Sequence, residues 1–492
     1  MVNAPSNSYN WAGIGLKPKK ADGTFDHNVP VQPKYMIKYS KHDSKVEIDD
    51  SEDSANIGGS TTTIGYDRES VTSSPSYTTK ILFGEGVEHD IYCALGSKDN
   101  VGVKDVEATS KYTSARTNSK VTGDESSGYK DAENNKVDKD GYFLDDSGNK
   151  TTKQVTESVI RQYYIFAPTA ENRENLPLST ETKGFNFWTT ESSTNAKDVL
   201  YPKILDNLIV DTCTFDLKAG RDINIEMEYK GDAPIYNVAR DVTKTFKKKA
   251  SKVTQNNIKI YYGAPDTLIY NPYALEKESG KSIDEIMEEA NLISTSCVNE
   301  LKIKIDNNLD DSDCFNYEMG VNTYDVGNFE AEVSGTFEVN RKLAREEAEW
   351  ITGSKEGYYA STESYIRQIL VCIEGIPILD SQGNKVYVDD KLLDYKLFMS
   401  FPKLNISDWK PSEDGDDTAT IEFTGKTILS IEDTAGNETS APCIFSCYST
   451  PDVISYSEPY TLTKLDGSDL NRDKAETNYK EPSVYGLTYN NG

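Results

Sequence analysis

The chain has 492 residues, with 53 Lys and Arg against 81 Asp and Glu, and its formal net charge of −28 is spread along its whole length. A balance of that sign opposes clamping onto a nucleic-acid backbone, while 31 Tyr and 15 Phe supply the large rings that sheets and subunit interfaces use. No run of eighteen apolar residues occurs and "MVNAPSNSYNWAGIG" is no charged-then-apolar leader, so the sequence predicts a folded β protein that neither spans a membrane nor follows an export signal.

Residues 1–30 are polar and punctuated by Pro and Gly, and read as an arm. Strand-like stretches follow at "YMIKYS" (35–40) and "YTTKILFG" (77–84). In "GVEHDIYCALG", Val87, Ile91, Ala94 and Leu95 recur at helical spacing with Gly96 just beyond, which predicts a short amphipathic helix with a glycine stop. Residues 101–157 are rich in Lys, Asp, Ser, Thr, Asn and Gly. They read as a surface insertion without a core of its own, turning at "DKDG" and "DDSGN".

After "SVIRQYYIFAP" (158–168) comes the clearest hairpin, residues 207–231, turning at "KAGRD". Ile209, Cys213, Phe215, Leu217, Ile223, Ile225, Met227 and Tyr229 share one face; Thr212, Thr214, Asp216, Asn224, Glu226 and Glu228 share the other. The segment 263–297 is a helical insertion. Its Ser282 and Glu285 form a capping box ahead of an apolar stripe, Ile283, Ile286, Met287 and Ala290, that reads as packing.

"ELKIKIDNN" (300–308) opens a second β-rich lobe. From residue 329 the alternation is unbroken: Phe329, Ala331, Val333, Gly335, Phe337 and Val339 on one side, Glu330, Glu332, Ser334, Thr336, Glu338 and Asn340 on the other, with a helix from 341 to about 351. Three more strand-like stretches follow, "SYIRQILVCIEGIPI" (364–378), "YKLFMSFPKLNIS" (395–407) and "DTATIEFTGKTILSI" (417–431). The plan is therefore an arm (1–30), a first β lobe (31–262), the helical insertion (263–297), a second β lobe (298–448) and a polar tail (449–492).

Chemistry-bearing motifs are sparse. His27, His42 and His89 lie in no nucleophile setting, and no phosphate-cradling glycine loop or H-E-x-x-H occurs. Seven cysteines without a C-x-x-C pair read as small buried hydrophobes of a reducing compartment, and Cys443 with Cys447 lacks the second half of a zinc site. In "DNNLDDSDCFNYE" (306–318), Asp311 stands where an EF-hand needs Gly and Tyr317 where it needs Glu; "SEDGDD" (412–417) reads as a solvated turn. The expectation is a non-enzyme with no cofactor and no metal.

A strand with carboxylates on one face and apolar residues on the other belongs to an antiparallel sheet with one wet side. Closure of such sheets between subunits removes their edges and lines a lumen with the wet faces. The succession of the 207–231 hairpin, "VGNFEAEVSGTFEVNRKLAREEAEW" (326–350), "ILVCIEG" (369–375), "LFMSFPKLNISDW" (397–409) and "DTATIEFTG" (417–425) resembles the tail tube (major tail) proteins of long-tailed bacteriophages.

That resemblance implies a mainly β, antiparallel sandwich or barrel protomer with a few short helices. Its sheets would close into a tube in homohexameric rings, stacked in the virion tail beside other tail proteins after assembly in the host cytoplasm. DNA would pass through without specific binding along an acidic lumen. The same-parity spacing of Asn224, Glu226, Glu228, Glu330, Glu332 and Glu338 on otherwise apolar strands makes them the residues expected to line it. The insertions 101–157 and 263–297 would decorate the outside or bridge rings. The alternative is an immunoglobulin-like β adhesin or a baseplate or carbohydrate-binding tail component; "ILSIEDTAGNETSAPCIF" (428–445) resembles the D-x-A-G-N-x-[ST] turn of bacterial immunoglobulin-like domains.

Overall fold

The computed structural model describes residues 9–464 except 58–59, 98–101, 112–121, 125–127, 132–133, 188–198, 201–202, 221–222, 237, 240–250, 265–267, 295–297, 312–323, 339–345, 353–357, 360–364, 381–382, 412–419, 435–436, 452 and 460–462. The chain is mainly β with antiparallel sheets and few helices. Its framework strands are β1 (Tyr9–Leu16), β2 (Tyr39–Ile57), β3 (Ser60–Lys80), β4 (Val103–Lys111), β5 (Thr156–Phe166), β6 (Ser179–Phe187), β7 (Lys203–Lys218), β8 (Asn224–Lys230) and β9 (Ile258–Gly263). They continue with β10 (Val298–Asp306), β11 (Glu330–Glu338), β12 (Ile366–Pro377), β13 (Asp394–Pro411), β14 (Thr420–Thr427) and β15 (Ile444–Ser449). The helices that shape the molecule are α1 (Val87–Leu95), α2 (Pro272–Ser279), α3 (Ile283–Glu289) and α4 (Glu346–Thr352).

One wall runs β2, β3, β8, β7, β10, β11, β14, β13. A second runs β4, β5, β15, β13, β12, β9. The long strand β13 serves both, pairing with β15 through residues 396–400 and with β14 through 404–411. The apolar faces of the walls meet in one core: Phe215 of β7 lies 5.9 Å from Phe445 of β15, and Tyr262 of β9 lies 5.7 Å from Phe337 of β11, centroid to centroid. The wall does not close into a barrel within the described residues. Strands from both expected lobes stand side by side in it, because the 207–231 hairpin has an edge that β10 satisfies.

Alternation holds where it was read. Cys213, Phe215, Leu217, Ile225, Met227, Tyr229, Ala331, Val333 and Phe337 are all buried. Three residues depart: a bulge between Val210 and Thr212 shifts the parity of β7, so the fully buried residue there is Val210 and Ile209 is only half-buried; Phe329 is half-buried too; and Thr214 of the polar face is 8% exposed. Val339 and Asn340 lie outside the described residues. Gly335 sits on the apolar face because a Cβ would come within 2.7 Å of the Glu300 carbonyl oxygen and 3.0 Å of the Phe423 ring.

The second wall is covered twice, which explains why "ILVCI" and "LFMSF" show no alternation. Ile283, Ile286, Met287 and Ala290 pack over Leu370, Cys372, Phe398 and Tyr448 on its outer side. The Ser282–Glu285 capping box is formed, with the Glu285 carboxylate accepting the Ser282 amide at 2.8 Å. Helix α1 was expected to be amphipathic, yet all nine of its residues are buried. Its carboxylates find partners inside: Glu88 accepts from the Gly84 amide at 2.8 Å and from Ser449 at 2.5 Å, both at Oε1, and Asp90 accepts from the Tyr77 hydroxyl at 2.7 Å.

The 101–157 segment divides in two. Its first part, β4, is framework, paired along β5 from Lys111 opposite Thr156 to Val103 opposite Tyr163. The part between Thr122 and Gln154 forms a separate five-stranded meander around Val137 and Val155. Three of its turns repeat one device: Asp131, Asp138 and Asp145 each accept the amide of the fourth residue on. The third residue on has a positive φ in each, at Asn134, Gly141 and Gly148. Asp380, Gly383 and Asn384 repeat the arrangement.

No reading of the sequence found the hairpin of β2 and β3, 19 and 21 residues long. Only residues 76–80 of it pair onto β8, with a further bridge from Ser73 to Gly231. Its Ser, Thr and Asp content gives it no apolar stripe to read.

Candidate functional site: the wet face of the first wall

Residues directly opposite one another in an antiparallel ladder point to the same face. One row therefore reads Lys41, Thr78, Glu226, Thr214, Lys304, Glu332, Lys426 and Asn405 across the eight strands of the wall, and continues to Ile366 on β12. The next row reads Asp43, Ser76, Glu228, Thr212, Asp306 and Glu330. On the other side lies Lys80, Asn224, Asp216, Lys302, Ser334, Thr424 and Asp408. Glu338 is farther along β11, opposite Thr420.

All six expected lumen residues, Asn224, Glu226, Glu228, Glu330, Glu332 and Glu338, thus belong to one face of one sheet. They do not converge to a point. Glu226 and Glu332 are three strand spacings apart, about 14 Å, with Thr214 and Lys304 between them.

The face is a charge ladder and not a uniformly acidic surface. Lys304 bonds Asp306 at 2.7 Å, Lys426 bonds Glu330 at 2.7 Å, Lys410 bonds Asp408 at 2.5 Å, and Lys218 bonds Glu300. The hydrogen bond to Asp306 raises the Lys304 ammonium above its ordinary pKa against partial burial, and Glu228 and Glu332 add to it. Lys426 is raised likewise, first by its hydrogen bond to Glu330. Negative charge is concentrated in the row of Asp43, Glu228, Asp306 and Glu330, which contains no lysine. Reading the carboxylates alone missed the lysines, although Lys302 and Lys304 have the polar parity between buried Leu301, Ile303 and Ile305.

Elsewhere the structure supplies one contact that the sequence reading lacked. His89 lies within 3.6 Å of the Cys93 sulfur, one helical turn away on α1, and both are sealed in the core. Cys93, Cys213, Cys372, Cys443 and Cys447 are buried free thiols, whereas Cys297 and Cys314 lie outside the described residues. So do most of the 306–318 loop and the whole of 412–417. Among the described residues no group of three or more His, Cys, Asp and Glu is arranged to hold a metal, and no helix is long and apolar enough to cross a membrane. Comparison with known proteins finds no family model and no curated protein that matches this chain.

Proposed function

We propose that the chain is a structural tube subunit of the phage tail type that its strand order resembles, with copies closing into rings whose lumen is lined by part of the wet face. The observation that carries this reading is the eight-strand polar face, apolar beneath from β8 to β13 and ending at β2, whose edge beyond residues 42–44, where Glu181, Lys183 and Lys203 reach it, pairs with no further strand among the described residues. An open edge of that length is a hazard unless another copy covers it. The long hairpin adds support, because beyond the stretch held by β8 its two strands pair only with each other, and such a ribbon is marginal in water and gains by lying on a neighbour.

On this reading DNA slides along rungs of alternating Lys and Glu, held off by the acidic row and by the chain's overall charge. The adhesin alternative draws no support from its turn motif. The D-x-x-G-N sequence also occurs from Asp145 and from Asp380, where it makes an ordinary turn closed on the aspartate, so the pattern is not particular to one domain type. Light scattering and negative-stain imaging of purified protein over a wide concentration range test the proposal. Rings or stacked tubes are expected, and a monomer at every concentration would overturn it.

A further inference from the structure

Lys17 follows β1 directly and its side chain is fully buried. Its Nζ touches the Asn207 carboxamide oxygen, lies 3.0 Å from Asp206 Oδ1 and donates to the His27 carbonyl at 3.0 Å. Asp206 is also fully buried and accepts from the Thr180 hydroxyl at 2.6 Å. On the far side of the carboxamide, Asn207 Nδ2 donates to Asp232 Oδ2 at 2.6 Å. A bulge in β7 against β6 allows this, since Leu205 faces Glu181 while Leu208 faces Ser179. Asn207 there has φ 51°, a conformation asparagine tolerates better than most residues, and the consecutive Asp206 and Asn207 both reach Lys17.

We propose that Lys17 and Asn207 form an intramolecular isopeptide cross-link, with Asp206 as its catalytic residue. A buried ion pair needs only the lysine and the aspartate; here an amide carbonyl oriented by a second carboxylate is held against the amine. Asp206 takes one proton from the Lys17 ammonium, and the freed lone pair attacks Cγ of Asn207. A proton then passes from the attacking nitrogen to the carboxamide nitrogen, the Cγ–Nδ2 bond breaks and ammonia leaves. Asp206 returns its proton to the ammonia, which departs as ammonium. Amine and carboxamide become a secondary amide plus ammonia, and no oxidant or cofactor enters. The bond staples β1 to β7 across β6, which lies between them.

Intact-mass measurement of the purified full chain tests this without reference to tube assembly. The expected mass is that of the sequence less one ammonia, with a branched tryptic peptide joining the segments that contain Lys17 and Asn207. Lys17→Arg, which keeps the cation and loses the nucleophile, is expected to restore the full sequence mass. Should that variant fail to fold, the unaltered protein decides alone. A full sequence mass with the two peptides recovered separately overturns the proposal and leaves an ion pair only. Loss of ammonia without the branched peptide overturns it as well, since cyclisation at an asparagine accounts for the mass.

Discussion

Lys304 stands directly opposite Glu332 on the β10–β11 ladder, and Lys426 stands opposite the same carboxylate on the β14 side. Exposed cross-strand pairs of this kind are individually weak and are screened by salt. Converting Lys304 and Lys426 together to Glu places like charges along that row. We expect a lower urea midpoint at low ionic strength, largely recovered in high salt. Equal midpoints in both salts would show that the rungs are not held as the ladder places them.

Phe337 stacks on Phe423 with centroids 4.6 Å apart and planes 18° apart, and Tyr262 closes on it from the second wall. Phe337→Ala is expected to cost about 3–5 kcal/mol. Phe337→Lys or Val333→Lys, which bury an unpaired charge, should also abolish ring formation. Normal rings from either lysine variant would remove β11 from the closing wall.

Lys111 and Thr156 are paired neighbours, so the chain between them is removable without displacing the strands that bear them. Deleting 112–155 behind a short Gly/Ser linker should leave the thermal transition cooperative and shifted by a few degrees. Deleting 101–157 removes β4 as well and should collapse the transition. Equal melts for the two deletions would contradict the framework role of β4.

Arg161 holds two strands and a helix from a nearly buried position. It bonds Asp105 at 2.8 Å, the Asp394 carboxylate at 3.1 Å and the Tyr273 hydroxyl at 2.5 Å. Arg161→Ala leaves Asp105 to Lys277 and Asp394 to Lys396 and the Gly375 amide, and is expected to cost about 1.5–3 kcal/mol in denaturant titration. The double change Arg161→Met with Asp105→Leu should cost less than the single one.

The hydrogen bond from the Tyr261 hydroxyl, at 2.5 Å, draws the pKa of Asp284 below its ordinary value; partial burial opposes this and Lys259 reinforces it. A depressed carboxylate contributes stability above its unfolded value, near 4, and loses it as pH falls through the lower folded value. The protection of α3 amides, taken relative to the same sequence unfolded at each pH, is therefore expected to fall between about pH 5 and about pH 2 while that of β12 is kept. Asp284→Asn should flatten that pH response, and an unchanged profile would rule out this anchor.

The sequence alone determined whatever depends on neighbours a few residues away. Period-two alternation marked the faces of β7, β8 and β11, a serine and a glutamate three apart marked the start of α3, and Gly96, with φ 72°, marked the end of α1. Tertiary structure decided what each face meets. Nothing local tells Glu332 that Lys304 and Lys426 will flank it, or tells α1 that its carboxylates will find Ser449 and Tyr77, because those partners are distant in sequence. The β2–β3 hairpin escaped for the opposite reason. A strand pair with no core beneath it carries no apolar period, so only backbone pairing reveals it.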